Sequence, residues 1–146
     1  MTEVTLAGDP FTLVIDTGSS DTWVAASSFK CIDPDEIDPI APNNCGFNAS
    51  YDPSTSPTWK PLRGHDFSVS YTGGEFLRGE LGTEQLGIGG VSRGTGPKLV
   101  VNQTIGVVEE GYWYGDGISS GLMGLAYPAL VSGARTLKYD SVMFTL

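Results

Sequence analysis

Asp16 is the carboxylate in this sequence that is best placed to do chemistry. It ends the apolar run of residues 12–24, TLVIDTGSSDTWV, and is followed by Thr17, Gly18 and Ser19. A carboxylate at the end of a buried strand is partly removed from water, and such burial favours protonation. The two hydroxyls can hydrogen-bond it, and the glycine permits a tight turn and the close approach of a substrate. This environment suits a group that exchanges protons.

One carboxylate cannot act as acid and base at once when water attacks an amide. Two carboxylates that share a proton can, because like charges in close contact cannot both ionise. The sequence contains a single Asp-Thr-Gly. The alternative for Asp16 is an Asx turn, in which the carboxylate only accepts hydrogen bonds from nearby backbone N–H groups.

The segments around Asp16 predict an all-β protein rich in turns. Twenty Gly and nine Pro separate short apolar runs in 146 residues, which is enough chain for one domain with a core. Alternating apolar residues predict a hairpin over 4–15, turning at AGDP, and TWVAA predicts a strand over 22–26. Residues 65–88 predict a longer hairpin with Thr72-Gly73-Gly74 at its tip.

Four further segments complete this prediction. We expect a helical turn after Pro53, a strand pair or one bent strand over 98–110, a buried strand and turn over 121–130, and a helix beginning at Asp140 or Ser141. The last segment, YDSVMFTL, reads as the start of a helix in a longer chain.

Charge excludes some classes of function. The net charge of −9, with eight Lys plus Arg, opposes binding to phosphate backbones, so we expect no nucleic-acid partner. No apolar run is long enough to cross a membrane. An acidic group at Asp33, Asp35, Glu36 and Asp38 indicates a solvated loop. Calcium binding is its alternative, but the spacing matches no known loop pattern.

The single histidine, His65, cannot assemble a zinc site with two distant cysteines. A Ser-His-Asp triad with Ser19 or Ser20 lacks the nucleophile-elbow pattern, so a surface or turn histidine is the better interpretation. We expect no metal and no cofactor.

Cys31 and Cys45 flank the segment CIDPDEIDPIAPNNC. A disulfide that closes this loop is the simplest interpretation and implies an oxidising compartment, whereas two free buried thiols are the alternative. Sequons at Asn48 and Asn102 agree with a secreted, extracellular glycoprotein. The sequence from Met1 shows no signal peptide, so we expect that any targeting segment lay upstream and was removed; a cytosolic product is the alternative.

The motif LVIDTGSSDTWV resembles the active-site segment of pepsin-like aspartic proteases, and in particular of the fungal type. The resemblance continues in order along about 130 residues. YDPSTSPTWK is similar to that family's linking turn, SYTGGEFLRGELGTEQL to its flap hairpin, and GLMGLAYPAL to the segment behind its active site. It implies a pepsin-like half-barrel lobe over residues 1–146, with one or two short helices.

The resemblance implies a role for each matching residue. Asp16 would be one carboxylate of the catalytic dyad, and Ser19 would hydrogen-bond it. Thr17 would lock the loop to its counterpart in the other lobe, and Gly18 would touch the substrate backbone. The flap residues Tyr71, Thr72, Gly73 and Gly74 would cover a peptide or protein substrate, with the Trp23 indole positioning the Tyr71 hydroxyl. Without the resemblance, Trp23 and Tyr71 would be ordinary core and sheet aromatics.

Three features depart from the family pattern. Thr72 stands where glycine more often follows the flap tyrosine, which would alter flap mobility. Ser120 precedes Gly121 where the family often has Asp. Glu75 places a charge near the flap tip and would favour basic or polar substrate side chains.

The sequence matches only the N-terminal lobe of a bilobal enzyme, and the second lobe's motif is absent. Three hypotheses follow. The chain is one portion of a protease and needs a C-terminal lobe, or two copies pair so that two Asp16 residues form the dyad, as in retroviral-type proteases. The third is a non-catalytic binding or decoy lobe. We expect the isolated chain to be weakly active or inactive, and to self-associate through the face that a second lobe would cover.

Overall fold

The computed structural model describes residues 1–35, 39–89, 99–132 and 137–146, apart from the side chains at 42 and 43. The described residues form seven strands: β1 Thr2–Leu6, β2 Asp9–Asp16, β3 Thr22–Cys31, β4 Lys60–Ser70, β5 Phe76–Ile88, β6 Leu99–Tyr112 and β7 Gly121–Gly124. They also form 3₁₀ turns at Pro42–Cys45, Pro53–Thr55 and Pro128–Leu130, and one short helix, α1, at Val142–Thr145. The all-β prediction is confirmed.

The strands form one mixed sheet in the order β1-β2-β7-β3-β6-β5-β4. A further pairing of β1 with the end of β5, with Val4 opposite Ile88, closes six of the strands into a barrel. β4 continues beyond the ring as the partner of β5 in a long hairpin. The fold is therefore a closed six-stranded barrel from which one hairpin extends.

β7 lies between two strands that are consecutive in the sequence. It pairs in parallel with β2, with Asp16 opposite Gly124, and antiparallel with β3, with Trp23 opposite Leu122. The connection from β2 to β3 must therefore cross over the end of β7. That connection, residues 17–21, carries most of the candidate site.

The predicted local elements agree with the structure. The first hairpin turns at Ala7 and Gly8, both with positive φ, and the helical turn after Pro53 is present. Residues 99–112 form one strand with a register shift, which settles the choice left open by the sequence. Helix α1 begins after Ser141, whose hydroxyl donates to the Ala126 carbonyl rather than capping the helix.

Both faces of the first half of β3, residues 22–26, are buried, which explains the apolar run WVAA. Val24 and Ala26 pack into the core inside the barrel with residues such as Leu13. Trp23 and Ala25 pack into a second cluster on the opposite face, together with residues of the long hairpin, β6 and β7. The candidate site lies beside this second cluster, which we call the Trp23 cluster: Trp23, Ala25, Phe67, Leu77, Leu81, Val108 and Leu122.

Cys31 and Cys45 form the predicted disulfide, with Cα atoms 5.8 Å apart, and both are buried. In the adjoining loop the Asp35 amide donates to the Asp33 carboxylate at 2.8 Å. The other two acidic residues of the predicted loop, Glu36 and Asp38, lie outside the described residues. Within the described ranges, no helix has the length and apolar character needed to cross a membrane.

Candidate active site

Asp16 is the last residue of β2, and both oxygens of its carboxylate accept hydrogen bonds. The Gly18 amide donates to Oδ1 at 2.8 Å, and the Ser19 hydroxyl donates to Oδ2 at 2.5 Å. The side chain is half-buried. The first of these contacts is the Asx turn that the sequence offered as an alternative, and it coexists with an accessible carboxylate.

The backbone fixes the loop that carries Asp16. As the chain leaves β7, the Leu125 amide donates to the Asp16 carbonyl at 2.8 Å and the Ala126 amide to the Ser19 carbonyl at 2.9 Å. Gly124 is required here, because a Cβ would lie 2.5 Å from the Ser20 carbonyl carbon. The loop thus rests on a strand end that leaves no room for a side chain.

The flap hairpin turns between Tyr71 and Glu75. The Tyr71 amide donates to the Glu75 carbonyl at 2.9 Å, and the Gly74 amide to the Tyr71 carbonyl at 3.1 Å. Gly74 has φ of 97°, which favours glycine. Thr72, Gly73 and Gly74 are exposed at the tip.

Trp23 and Tyr71 meet as the resemblance implied. The indole N–H donates to the Tyr71 hydroxyl at 2.9 Å. Burial raises the pKa of Tyr71 to about 12; the hydrogen bond from Trp23 opposes this rise, and the charges of Asp21, Asp16 and Glu75 add to it. The phenol is therefore neutral at acid and at neutral pH. It lies within electrostatic reach of Asp16.

Trp113 is a further residue of the site that was not predicted from the sequence. Its ring contacts both Trp23, with centroids 4.9 Å apart, and Tyr71, with centroids 5.5 Å apart, each edge to face. Edge-to-face pairs of this kind stabilise by about 0.5–1.5 kcal/mol beyond their burial. Trp113, which directly follows β6, therefore supports the flap tyrosine Tyr71. The aromatic run Tyr112-Trp113-Tyr114 was the signal that could have found it.

Asp21 is a second residue near the site that was not predicted from the sequence. This carboxylate is 3% exposed, and its hydrogen-bond partners lie more than 110 positions away in the sequence, at Ser132 and Tyr139. No local pattern could predict such a contact.

An apolar groove of about 600 Å³ runs beside the candidate catalytic loop. It is lined by Thr17, Gly18, Leu125 and Ala126 together with four exposed apolar side chains. These four are at least half exposed: Tyr127, Leu130, Met143 and Phe144. Thr17 is itself exposed, so it can be reached by another chain.

The remaining predicted residues lie away from the loop. Asn48 and Asn102 are exposed, and His65 is half-buried on β4. Among the residues that the structure describes, no group of three or more His, Cys, Asp or Glu side chains is arranged to hold a metal ion.

Comparison with known proteins places this geometry in a family. The eukaryotic aspartyl protease family matches residues 2–145. A probable aspartic-type endopeptidase of Aspergillus fumigatus is 42% identical over 135 residues, which are 92% of this chain and 28% of that protein. Cathepsin E of Cavia porcellus is 33% identical over 135 residues, 91% of this chain and 29% of that protein.

A second Aspergillus fumigatus protein, the probable aspartic-type endopeptidase opsB, is 34% identical over 84% of this chain and 21% of its own length. The chain thus spans about a quarter of the length of the curated relatives that it matches. The match across nearly all of its residues, together with the barrel and its hairpin, establishes that the chain belongs to the eukaryotic aspartyl protease family.

Proposed function

We propose that this chain supplies one half of the active site of an aspartic-type endopeptidase. The observation that carries the proposal is Asp16 itself, a half-buried carboxylate at a strand end whose two oxygens accept hydrogen bonds from Gly18 and Ser19. Asp16 would share a proton with a second carboxylate and activate water for attack on a peptide bond. Family membership supports peptides as the class of substrate.

The other residues act on the substrate rather than on water. Gly18 would approach the substrate backbone, since it is exposed and lacks a side chain. The flap tip, Thr72-Gly73-Gly74, would close over a bound peptide, with Tyr71 held in place by Trp23. Glu75 would favour basic or polar side chains near the tip. No cofactor is needed for this chemistry.

The second carboxylate would come from a second lobe seated on the apolar groove. The groove exposes Tyr127, Leu130, Met143 and Phe144 next to Thr17, and an apolar surface of this kind favours association. The greater length of the relatives provides room for such a lobe. Thr17 would then contact its counterpart across the interface.

A second copy of the chain is the other candidate for this groove. Two copies related by a two-fold axis would bring two Asp16 carboxylates together. In either arrangement the isolated monomer would be weakly active or inactive.

The disulfide supports folding in an oxidising compartment, and we propose a secreted protein. The exposed sequons at Asn48 and Asn102 would then be open to glycosylation. Mass spectrometry after expression in a secreting eukaryotic host, with and without glycosidase, tests both sites.

Sedimentation velocity combined with peptide cleavage at acid pH tests the proposed function. Cleavage that is abolished by Asp16→Asn and by a statine-type inhibitor supports it. Asp9→Asn is the matched control, because Asp9 is an exposed carboxylate at the opposite end of the same strand. Cleavage by a dimer identifies the second copy as the partner, whereas an inactive monomer excludes it.

A non-catalytic binding or decoy lobe predicts a different result, which a binding measurement would detect. Tight binding of a protease inhibitor or partner protein that survives Asp16→Ala, without cleavage in any assembly, would replace the catalytic proposal.

A further inference from the structure

Asp21 is a buried carboxylate between the candidate catalytic loop and β3. Its side chain accepts the Ser132 amide at 2.9 Å and 3.1 Å on its two oxygens, the Ser132 hydroxyl at 3.2 Å, and the Tyr139 hydroxyl at 2.5 Å. Among the described residues, all of these donors are uncharged. A carboxylate that is 3% exposed is costly unless it is well hydrogen-bonded, so this arrangement needs an explanation.

The contact joins two parts of the chain that flank the site. Ser132 follows the 3₁₀ turn at Pro128–Leu130, and Tyr139 stands shortly before α1. Tyr139 packs against the Trp23 cluster, as Tyr71 does. Asp21 therefore holds a second tyrosine against the same Trp23 cluster on which the flap tyrosine packs.

We propose that Asp21 is a positioning residue for the peptide-cleaving site, which ties Ser132 and Tyr139 to the start of β3 and so fixes Tyr139 against the Trp23 cluster. Its consequence for cleavage rests on the proposed function, whereas its effect on the Trp23 cluster does not. Asp21 itself would not contact the reacting atoms.

The hydrogen bonds between Asp21 and both Ser132 and Tyr139 can persist when Asp21 is protonated. Burial raises the pKa of Asp21, although the hydrogen bonds from Tyr139 and Ser132 oppose the rise. The protonated acid can still accept the Ser132 amide on one oxygen while it donates to the Tyr139 hydroxyl from the other, because a hydroxyl both donates and accepts. Its hydrogen-bond partner Tyr139 is a phenol, and burial raises the pKa of the neighbouring Tyr71 to about 12.

Ionisation of Asp21 should make the folded chain less stable as the pH rises from acid to neutral. The folded chain binds the Asp21 proton more readily than the unfolded chain, whose value is near 3.8. The cost of burying the charge is therefore absent below pH 3.8 and grows as the pH rises through the folded value. Asp21→Asn, which imitates the protonated acid, should flatten this fall in stability between acid and neutral pH.

Hydrogen exchange measured by NMR on the whole chain tests the proposal. In Asp21→Ala we expect the Ser132 amide and the Trp23 indole N–H to exchange about tenfold faster, as the loss of a typical hydrogen bond predicts. Asp21→Asn should restore both rates, and Tyr139→Phe should accelerate the Trp23 signal without unfolding the chain. Asp140→Asn is the matched control, an exposed carboxylate next to Tyr139.

Each outcome decides one part of the inference. Unchanged exchange of the Ser132 amide in Asp21→Ala overturns the Asp21–Ser132 hydrogen bond. Unchanged exchange of the Trp23 indole N–H overturns the effect of Asp21 on the Trp23 cluster. In the active assembly, Asp21→Ala should lower kcat/KM about tenfold, with rescue by Asp21→Asn; an unchanged value overturns the role in cleavage. A wild-type chain that cleaves no peptide in any assembly, including one with a second lobe, defeats the proposed function, yet the two exchange rates still decide the positioning.

Discussion

The indole N–H of Trp23 donates to the Tyr71 hydroxyl at 2.9 Å, across 48 positions of sequence. This contact joins the barrel strand β3 to the tip of the hairpin formed by β4 and β5. Trp23 is fully buried and Tyr71 is half-buried, so the hydrogen bond is shielded from water. The hairpin tip is thereby tied to β3, with Tyr71 close enough to Asp16 to be influenced by its charge.

Replacing Trp23 by Phe should loosen the flap and lower stability. The substitution keeps an aromatic ring but removes the donor, and it shrinks a side chain that Trp113 contacts. We expect a loss of about 1–3 kcal/mol in the free energy of unfolding, measured by urea denaturation.

A double-mutant cycle with Tyr71→Phe separates the hydrogen bond from the packing. We expect a coupling energy of about 0.5–1.5 kcal/mol. Tyr114→Phe is the control, since that phenol is largely exposed. A coupling energy near zero would show that the two side chains do not act together.

Replacing Glu84 by Gln should destabilise the chain at neutral pH. Glu84 is 1% exposed and accepts hydrogen bonds from the hydroxyls of Tyr51, Ser56 and Thr58 and from the Gln85 amide. An amide offers one acceptor oxygen instead of two, so some donors lose their partner. We expect the free energy of unfolding to fall by about 1–3 kcal/mol. Glu3→Gln is the control, because Glu3 is an exposed carboxylate on β1.

The Glu84 contribution should also depend on pH. Burial by itself would raise the pKa of Glu84, but the hydrogen bonds from Ser56, Thr58, Tyr51 and Gln85 together lower it. The stabilisation is therefore complete above the unfolded value of 4.5 and is lost as the pH falls through the lower, folded value. Wild type and Glu84→Gln should converge in stability in strong acid; a constant difference from pH 7 to pH 2 would contradict this.

Reduction of the disulfide should lower the melting temperature without abolishing the fold. The bridge spans 14 positions, and a loop of that size corresponds to about 3 kcal/mol of stabilisation. Melting followed by circular dichroism with and without a reductant measures the effect. In the Cys31→Ala, Cys45→Ala double variant the reductant should cause no further change, and identical melting of the wild type in both conditions would argue against the bridge.

Replacing Gly124 by Ala should displace the candidate catalytic loop that carries Asp16. The added Cβ would lie 2.5 Å from the Ser20 carbonyl carbon and 2.6 Å from the Asp21 carbonyl oxygen. We expect a loss of about 1–3 kcal/mol and faster exchange of the Leu125 amide, which donates to the Asp16 carbonyl. Gly64→Ala places a Cβ in open space at φ of 82°, so it should leave Leu125 exchange unchanged. Equal exchange in both variants would refute the steric argument.

Much of the fold was predictable because its signals are local. The alternation that leads to Asp16, the turn at Ala7 and Gly8, and the glycines of the flap tip each reflect the backbone preferences of a few neighbouring residues. The family resemblance added the Trp23–Tyr71 contact and the hydrogen bond from Ser19 to Asp16, both present in the structure. The catalytic roles of these residues remain predictions.

The sequence by itself determined that Asp16 ends a buried strand and that the chain then turns on small residues. Only the tertiary structure decided that β7 inserts between β2 and β3, that Trp113 supports the flap tyrosine, and that Asp21 holds Ser132 and Tyr139. The physical reason is that strand periodicity acts over a few residues. Pairing across a hundred residues depends instead on which apolar faces and buried polar groups find complementary partners when the barrel closes.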